Sequence, residues 1–190
     1  MSDDLQVSPG TLLAAWPDML DPNFMHGIVV MCQHSDEGAY GLVVNRETSL
    51  TLADLLPEHP LLGGSDFPVH LGGPVDHSSM QFLHRVPGVI TGGVELTPSL
   101  WLGGELDALA EYVVTSSEEA RRNVRVFLGY SGWGAGQLEG ELETGSWLPA
   151  PGDLETVFGP ADEDQWKRVV RSVRPEGDGL ENLPPDVNWN

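Results

Sequence analysis

Apolar residues run along this chain in short bursts, and their spacing alternates between strand and helix periods. Ile28-Val29-Val30-Met31-Cys32 is a continuous, β-branched-rich run, the pattern of a buried strand. Thr11–Ala15, closed by Trp16-Pro17, is a shorter one, and Tyr40–Asn45 is a third. The polar stretch His34–Gly38, ending in glycine, joins the runs on either side of it as a hairpin. Val69–Leu71 and Met80–His84 read as strands flanking Gly72-Gly73-Pro74, with Leu100–Leu102 as another. Val124–Tyr130 is the clearest strand, Val124, Val126 and Leu128 alternating with Arg125, Phe127 and Gly129. Leu106, Leu109, Ala110 and Val113 recur at i, i+3, i+4, i+7 and predict a helix over Gly104–Val114. Further helices are predicted over Leu50–Leu56, capped by Ser49 or Thr51, over Trp133–Glu143 and over Asp162–Arg174. In the last of these Trp166, Val169, Val170 and Val173 form the stripe, and acids at the start and arginines at the end suit the helix dipole. Thr115–Asn123 reads as a charged connection.

The pattern predicts a single compact α/β domain of α+β character, with a mainly antiparallel sheet and three main helices besides the short one. A flexible N-terminus over residues 1–9 and a polar C-terminal tail over 175–190 would flank a domain at 10–174.

Charge narrows the function. The 190 residues carry 9 Lys+Arg against 29 Asp+Glu, a net charge of −20. Such a surface repels a phosphate backbone, and phosphate neutralisation supplies most of the sequence-independent affinity for nucleic acid. Direct DNA binding is therefore disfavoured, unless through Arg121, Arg122 and Arg125 or the arginines of the last helix. The single cysteine, Cys32, excludes an intrachain disulfide and suits a reducing compartment. MSDDLQVSPG lacks the apolar stretch of a secretory signal, and no run is long enough to cross a bilayer. The expectation is a cytoplasmic protein with no membrane association.

Candidate chemistry concentrates in Gly129–Gln137, a glycine-rich strand-to-helix junction. Its spacing misses the dinucleotide fingerprint, because Gly132-x-Gly134 is followed by Gln137, and it lacks the lysine of a phosphate-binding loop. Gly129-Tyr130-Ser131-Gly132-Trp133 comes close to a nucleophile elbow, but no histidine follows His84 to complete a triad in that order. The six histidines contain no close metal-ligand pair. Cys32, inside an apolar strand, reads as an inert thiol. Asn45-Arg46 ends a buried strand, where polar residues face either a cleft or solvent. No catalytic residue, metal site or cofactor is assigned.

Taken together, Gly10–Pro17, Asp21–Phe24, Gly38–Arg46, Leu71–Val75, Phe82–His84, Leu128–Leu142 and Trp147-Leu148 resemble the AlgH/YqgE family. The resemblance implies a partly bifurcated sheet that curls toward a pseudo-barrel, and no established catalytic residues. One member is described as a transcriptional regulator of exopolysaccharide genes. Gly27, Ser131 and Gly145-Ser146 depart from the usual family residues. The resemblance favours a binding or regulatory protein acting through a protein partner or small molecule. Its expected surface is lined by Asn45, Arg46, Gly73, Pro74, His84, Tyr130, Trp133 and Gln137, with Trp133 anchored against Gly72-Gly73-Pro74. The alternative is an enzyme of unknown reaction with His84 as general base beside Asn45, Arg46 or Tyr130.

Overall fold

The computed structural model describes residues 6–174; the predicted tail at 175–190 lies outside the described residues, as do residues 1–5. The first three strands are β1 (Leu12–Ala15), β2 (Ile28–Ser35) and β3 (Gly38–Val43). They are apolar at successive positions because both faces are covered. Leu12, Ala14, Ile28, Val30, Cys32 and Leu42 belong to one core. Leu13, Ala15, Val29, Met31 and Val43 belong to another, with Trp133, Leu138 and Trp147. Side chains alternate across a strand, so a strand with two buried faces has no polar side to display.

Seven strands follow: β4 (Glu47–Thr51), β5 (Pro68–Leu71), β6 (Val75–His84), β7 (Val94–Thr97), β8 (Leu100–Leu102), β9 (Val124–Gly134) and β10 (Trp147–Ala150). The helices are α1 (Leu52–Leu55), α2 (Leu106–Thr115), α3 (Ser117–Asn123), α4 (Gln137–Glu143), α5 (Leu154–Phe158) and α6 (Gln165–Val173). α6 lays Trp166, Val169 and Val170 on the first core, which Phe158 of α5 also joins. α2 and α3 bury Leu109, Ala110, Val113 and Ala120 in a third core with Val69, Val124 and Val126.

The sheet is an open path, β10-β1-β2-β3-β9-β6-β8-β7, with β4 on β5 and β5 on β9. Among the described residues only the β5–β9 pairing is parallel. β9 makes the fork. Ser131–Gly134 pairs with β3, whereas Val126–Leu128 pairs with β5. Between the branches the chain crosses itself at glycines. A Cβ on Gly73 would lie 2.3 Å from the Tyr130 carbonyl group, and one on Gly72 would lie 2.4 Å from the Gly129 carbonyl oxygen. Gly73 (φ +152) and Gly129 (φ +70) also hold backbone angles that other residues rarely adopt.

Several expectations are corrected. The three main helices expected are α2, α4 and α6 and the short one is α1; the described residues add α3 and α5. Thr115–Asn123 is mostly helix, its acids Glu118 and Glu119 in the first turn and Arg121 and Arg122 in the last. β9 runs on to Gly134, so the following helix starts at Gln137 and not at Trp133. The hairpin turn shrinks to Asp36-Glu37, because β2 and β3 stay paired out to Ser35 and Gly38.

Candidate functional site

Just beyond β3, the Asn45 and Arg46 side chains reach back to the turn that precedes β2. Asn45 Oδ1 accepts from the Ile28 N–H at 2.9 Å, and its Nδ2 donates to the His26 carbonyl at 2.8 Å. Arg46 donates to the Met25 carbonyl. The clasped residue, His26, sits at φ +53, an uncommon angle for a non-glycine residue. Its ring stacks on Trp166 of α6, centroids 4.2 Å apart and planes 20° apart. Trp166 is fixed in turn, its Nε1 donating to the Ala15 carbonyl at 2.8 Å.

Between this turn and the start of α6 lies an open cleft of about 620 Å³. Asn45, Arg46, His26, Trp166, Lys167 and Glu163 are among its lining residues. Burial pulls Arg46 below the ordinary arginine pKa. Burial first, then the Arg46 and Lys167 charges, lower the His26 pKa, which favours its neutral form. His26 Nε2 is buried with no hydrogen-bond partner among the described residues. Asp162, also in the lining, is held by Arg168 at 3.0 Å, and Lys167 pairs with Asp164 at 3.3 Å. Among the described residues neither Arg46 nor Glu163 has an oppositely charged group within 4 Å.

Of the eight residues expected to share a surface, only Asn45 and Arg46 line this cleft. Gly73, Pro74 and Tyr130 belong to the backbone crossing, where the Tyr130 ring meets Tyr40 edge-on at 5.9 Å. Trp133, expected against Gly72-Gly73-Pro74, has its ring and Nε1 partners on β10 and α4. It packs edge-on against Trp147 at 5.9 Å, and both indoles donate to Glu141 Oε2, at 2.9 and 2.8 Å. Gln137 binds the Gly134 N–H and Glu141, each at 3.0 Å, and so holds the start of α4.

His84 is the largest departure. It is 0% exposed, at the far end of β6, opposite Val124 and Trp101. Tyr130 lies six residues along β9 from Val124, about 20 Å at strand spacing. His84 Nε2 faces the Gly103 carbonyl at 3.0 Å, and Nδ1 accepts from the Val86 N–H at 3.3 Å. Both ring nitrogens are committed, so the residue clamps backbone and is not placed to take a proton beside Asn45 or Tyr130. Ser131 Oγ is likewise spent on the Gly72 carbonyl at 3.1 Å. Burial pushes the Cys32 thiol up to about 12, as its place in an apolar strand leads one to expect. His26, Glu163, Lys167 and Trp166 were absent from the sequence-predicted surface. The local signal in the sequence is Asp18–Asn23, rich in turn-forming residues, ahead of His26.

His34 forms a separate latch. Its Nδ1 faces the Val7 carbonyl at 3.0 Å and its Nε2 faces Glu139 Oε1 at 2.6 Å. Both neighbours are acceptors when Glu139 is ionised, so the geometry calls for a doubly protonated ring. Glu139, the Val7 carbonyl and Asp36 all raise the His34 pKa, with the Glu139 bond first. A raised folded value contributes stability that is complete below the unfolded value, about 6.5, and is lost as pH rises through the folded one. His26, His70 and His84 shift downward and act in the opposite sense. The expected result is that the stability difference between wild type and His34→Gln shrinks on going from pH 6 to pH 9. Urea unfolding at each pH measures it; a difference that holds constant would show that His34 binds no extra proton.

The AlgH-like family model matches residues 12–177. This chain belongs to the AlgH-like family. A UPF0301 protein of Chlorobaculum tepidum is 37% identical, over 99% of this chain and 100% of its own length. One from Cytophaga hutchinsonii is 35% identical, over 97% and 100%. The solution structure of AlgH from Pseudomonas aeruginosa superposes with a TM-score of 0.70 at 28% identity, over 93% of this chain and 96% of that one. Among the described residues no helix is long and apolar enough to cross a membrane.

Proposed function

We propose that this AlgH-like protein is a cytoplasmic binding protein that acts without turnover, and that its site is the cleft between the His26 turn and α6. Any regulatory role then runs through a small ligand or protein partner, not through direct contact with DNA. The observation that carries this reading is Arg46. In a chain with 29 acidic side chains, this half-buried guanidinium lines a cleft and has no carboxylate within 4 Å among the described residues. A desolvated charge without a counter-charge is costly, and a ligand that supplies one is bound the more strongly for it.

Native mass spectrometry of the purified protein, beside an Ala161→Trp variant that fills the cleft, tests the reading. Ala161 lines the cleft and is partly exposed, so the variant is expected to fold. A molecule retained by wild type and absent from the variant is the expected result. A molecule retained equally by both, or by neither, would overturn the assignment. In a parallel anisotropy titration at physiological salt, duplex DNA is expected to show no specific binding; submicromolar, sequence-specific affinity would reverse that part.

A further inference from the structure

Among the described residues, the charges of this cleft left without an ion partner have opposite signs. Arg46 and Glu163 both line it, more than 4 Å apart. The other charges there are paired within the protein, Asp162 with Arg168 and Lys167 with Asp164. A purely anionic ligand would meet Arg46 but also Glu163 and the field of a net charge of −20. A purely cationic ligand would meet Arg46 and Lys167 at close range. A molecule that carries one charge of each sign, set apart, gains at both walls and opposes neither.

Resting on the reading that this cleft is the binding site, we infer that its occupant is a short peptide with free ends, its carboxylate on Arg46 and its ammonium on Glu163. Arginine's planar fork suits a carboxylate taken through two oxygens. Size favours a peptide over a single amino acid. The cleft's 620 Å³ is about twenty water volumes at roughly 30 Å³ each. A three-residue peptide of small side chains has about that many non-hydrogen atoms and spans about 10 Å when extended. Pro22, Met25 and Ala161 supply apolar wall for small side chains.

The test is a calorimetric and NMR titration at low ionic strength with trialanine, N-acetyl-trialanine, trialanine amide and succinate. Trialanine is expected to bind, with shifts centred on His26, Arg46 and Lys167. Capping either end is expected to weaken it at least about tenfold, the loss expected for one charge-assisted bond. The variants assign the ends. Arg46→Gln should weaken trialanine about tenfold and leave the amide unchanged. Glu163→Gln, at an exposed position that bears no fold, should weaken trialanine and leave the N-acetyl form unchanged. Thermal midpoints check that Arg46→Gln, which loses the Met25 contact, remains folded; if it does not, the Glu163→Gln arm decides alone. Equal binding of the capped and free peptides, tighter binding of succinate, or no binding at millimolar trialanine would overturn the inference. In the last case a molecule displaced by Ala161→Trp would leave the cleft reading standing and remove only the peptide.

Discussion

Gly73→Ala is expected to cost about 4 kcal/mol or more, at the upper end for single substitutions. The new methyl would sit 2.3 Å from the Tyr130 carbonyl carbon and oxygen and 2.4 Å from Ser131 Oγ. Two of those three atoms are backbone, and the backbone there is held in the fork by Tyr130–Val75 and Ser131–Gly41 pairing. The side chain that could yield, Ser131, is committed to the Gly72 carbonyl. The φ of +152 adds strain that no relaxation of neighbours removes. Gly136→Ala is the matched control. It also has a positive φ, +73, but nothing lies within 4 Å of its Cβ, so it is expected to lose only about 1–2 kcal/mol. Urea denaturation of both variants measures the difference. Equal losses would mean that the two strands do not lock each other at the crossing.

Trp166→Ala is expected to cost about 5 kcal/mol. Deleting a buried large aromatic typically costs 3–5 kcal/mol. This one is 1% exposed, and its loss also strips the Ala15 carbonyl of its donor, at about 1–3 kcal/mol more. The same ring supports His26 from below, so the cleft should lose its ligand even where the protein stays folded in mild conditions. Trp166→Phe keeps an aromatic surface and gives up the Nε1 bond, so it should fall between wild type and alanine. Denaturation midpoints, read beside the peptide titration, check both effects. A Trp166→Ala protein as stable as wild type would place α6 outside the core.

These two predictions differ in how far the sequence foreshadowed them. The α6 stripe of Trp166, Val169 and Val170 was legible, because an amphipathic helix writes its buried face at a 3.6-residue period. The glycine crossing was legible only as two glycine-rich motifs, Leu71–Val75 and Leu128–Gly136. That the first needs its missing side chains because the second passes over it is a contact between distant segments, and no local period records it. For the same reason Ser131–Gly134 reads locally as the approach to a helix, whereas β9 continues through it. Glycine lowers both propensities, and pairing with β3 decided the outcome.

The polar strands were hidden for another reason. β4, with Glu47, Thr48 and Ser49, is largely exposed and has little apolar pattern to display. α3 hid in a charged stretch because its seven residues bury only Ala120. Among the expected site residues, polarity suggests a shared cleft, but the structure spends much of it on internal satisfaction: His84 on Gly103 and Val86, Trp133 on Glu141, Gln137 on Gly134 and Glu141.

By itself the sequence determined the family, the α/β class, the apolar strands and the faces of the longer helices. These follow from local hydrophobic periodicity and short motifs, which are properties of neighbouring residues. Only the tertiary structure decided which polar side chains are spent and which remain available. Arg46 and Glu163 are 117 positions apart by their numbering, and they share a cleft because the His26 turn and α6 meet across β1. The free energy of a buried or half-buried charge depends on every group around it, and those groups are brought together only by the completed fold.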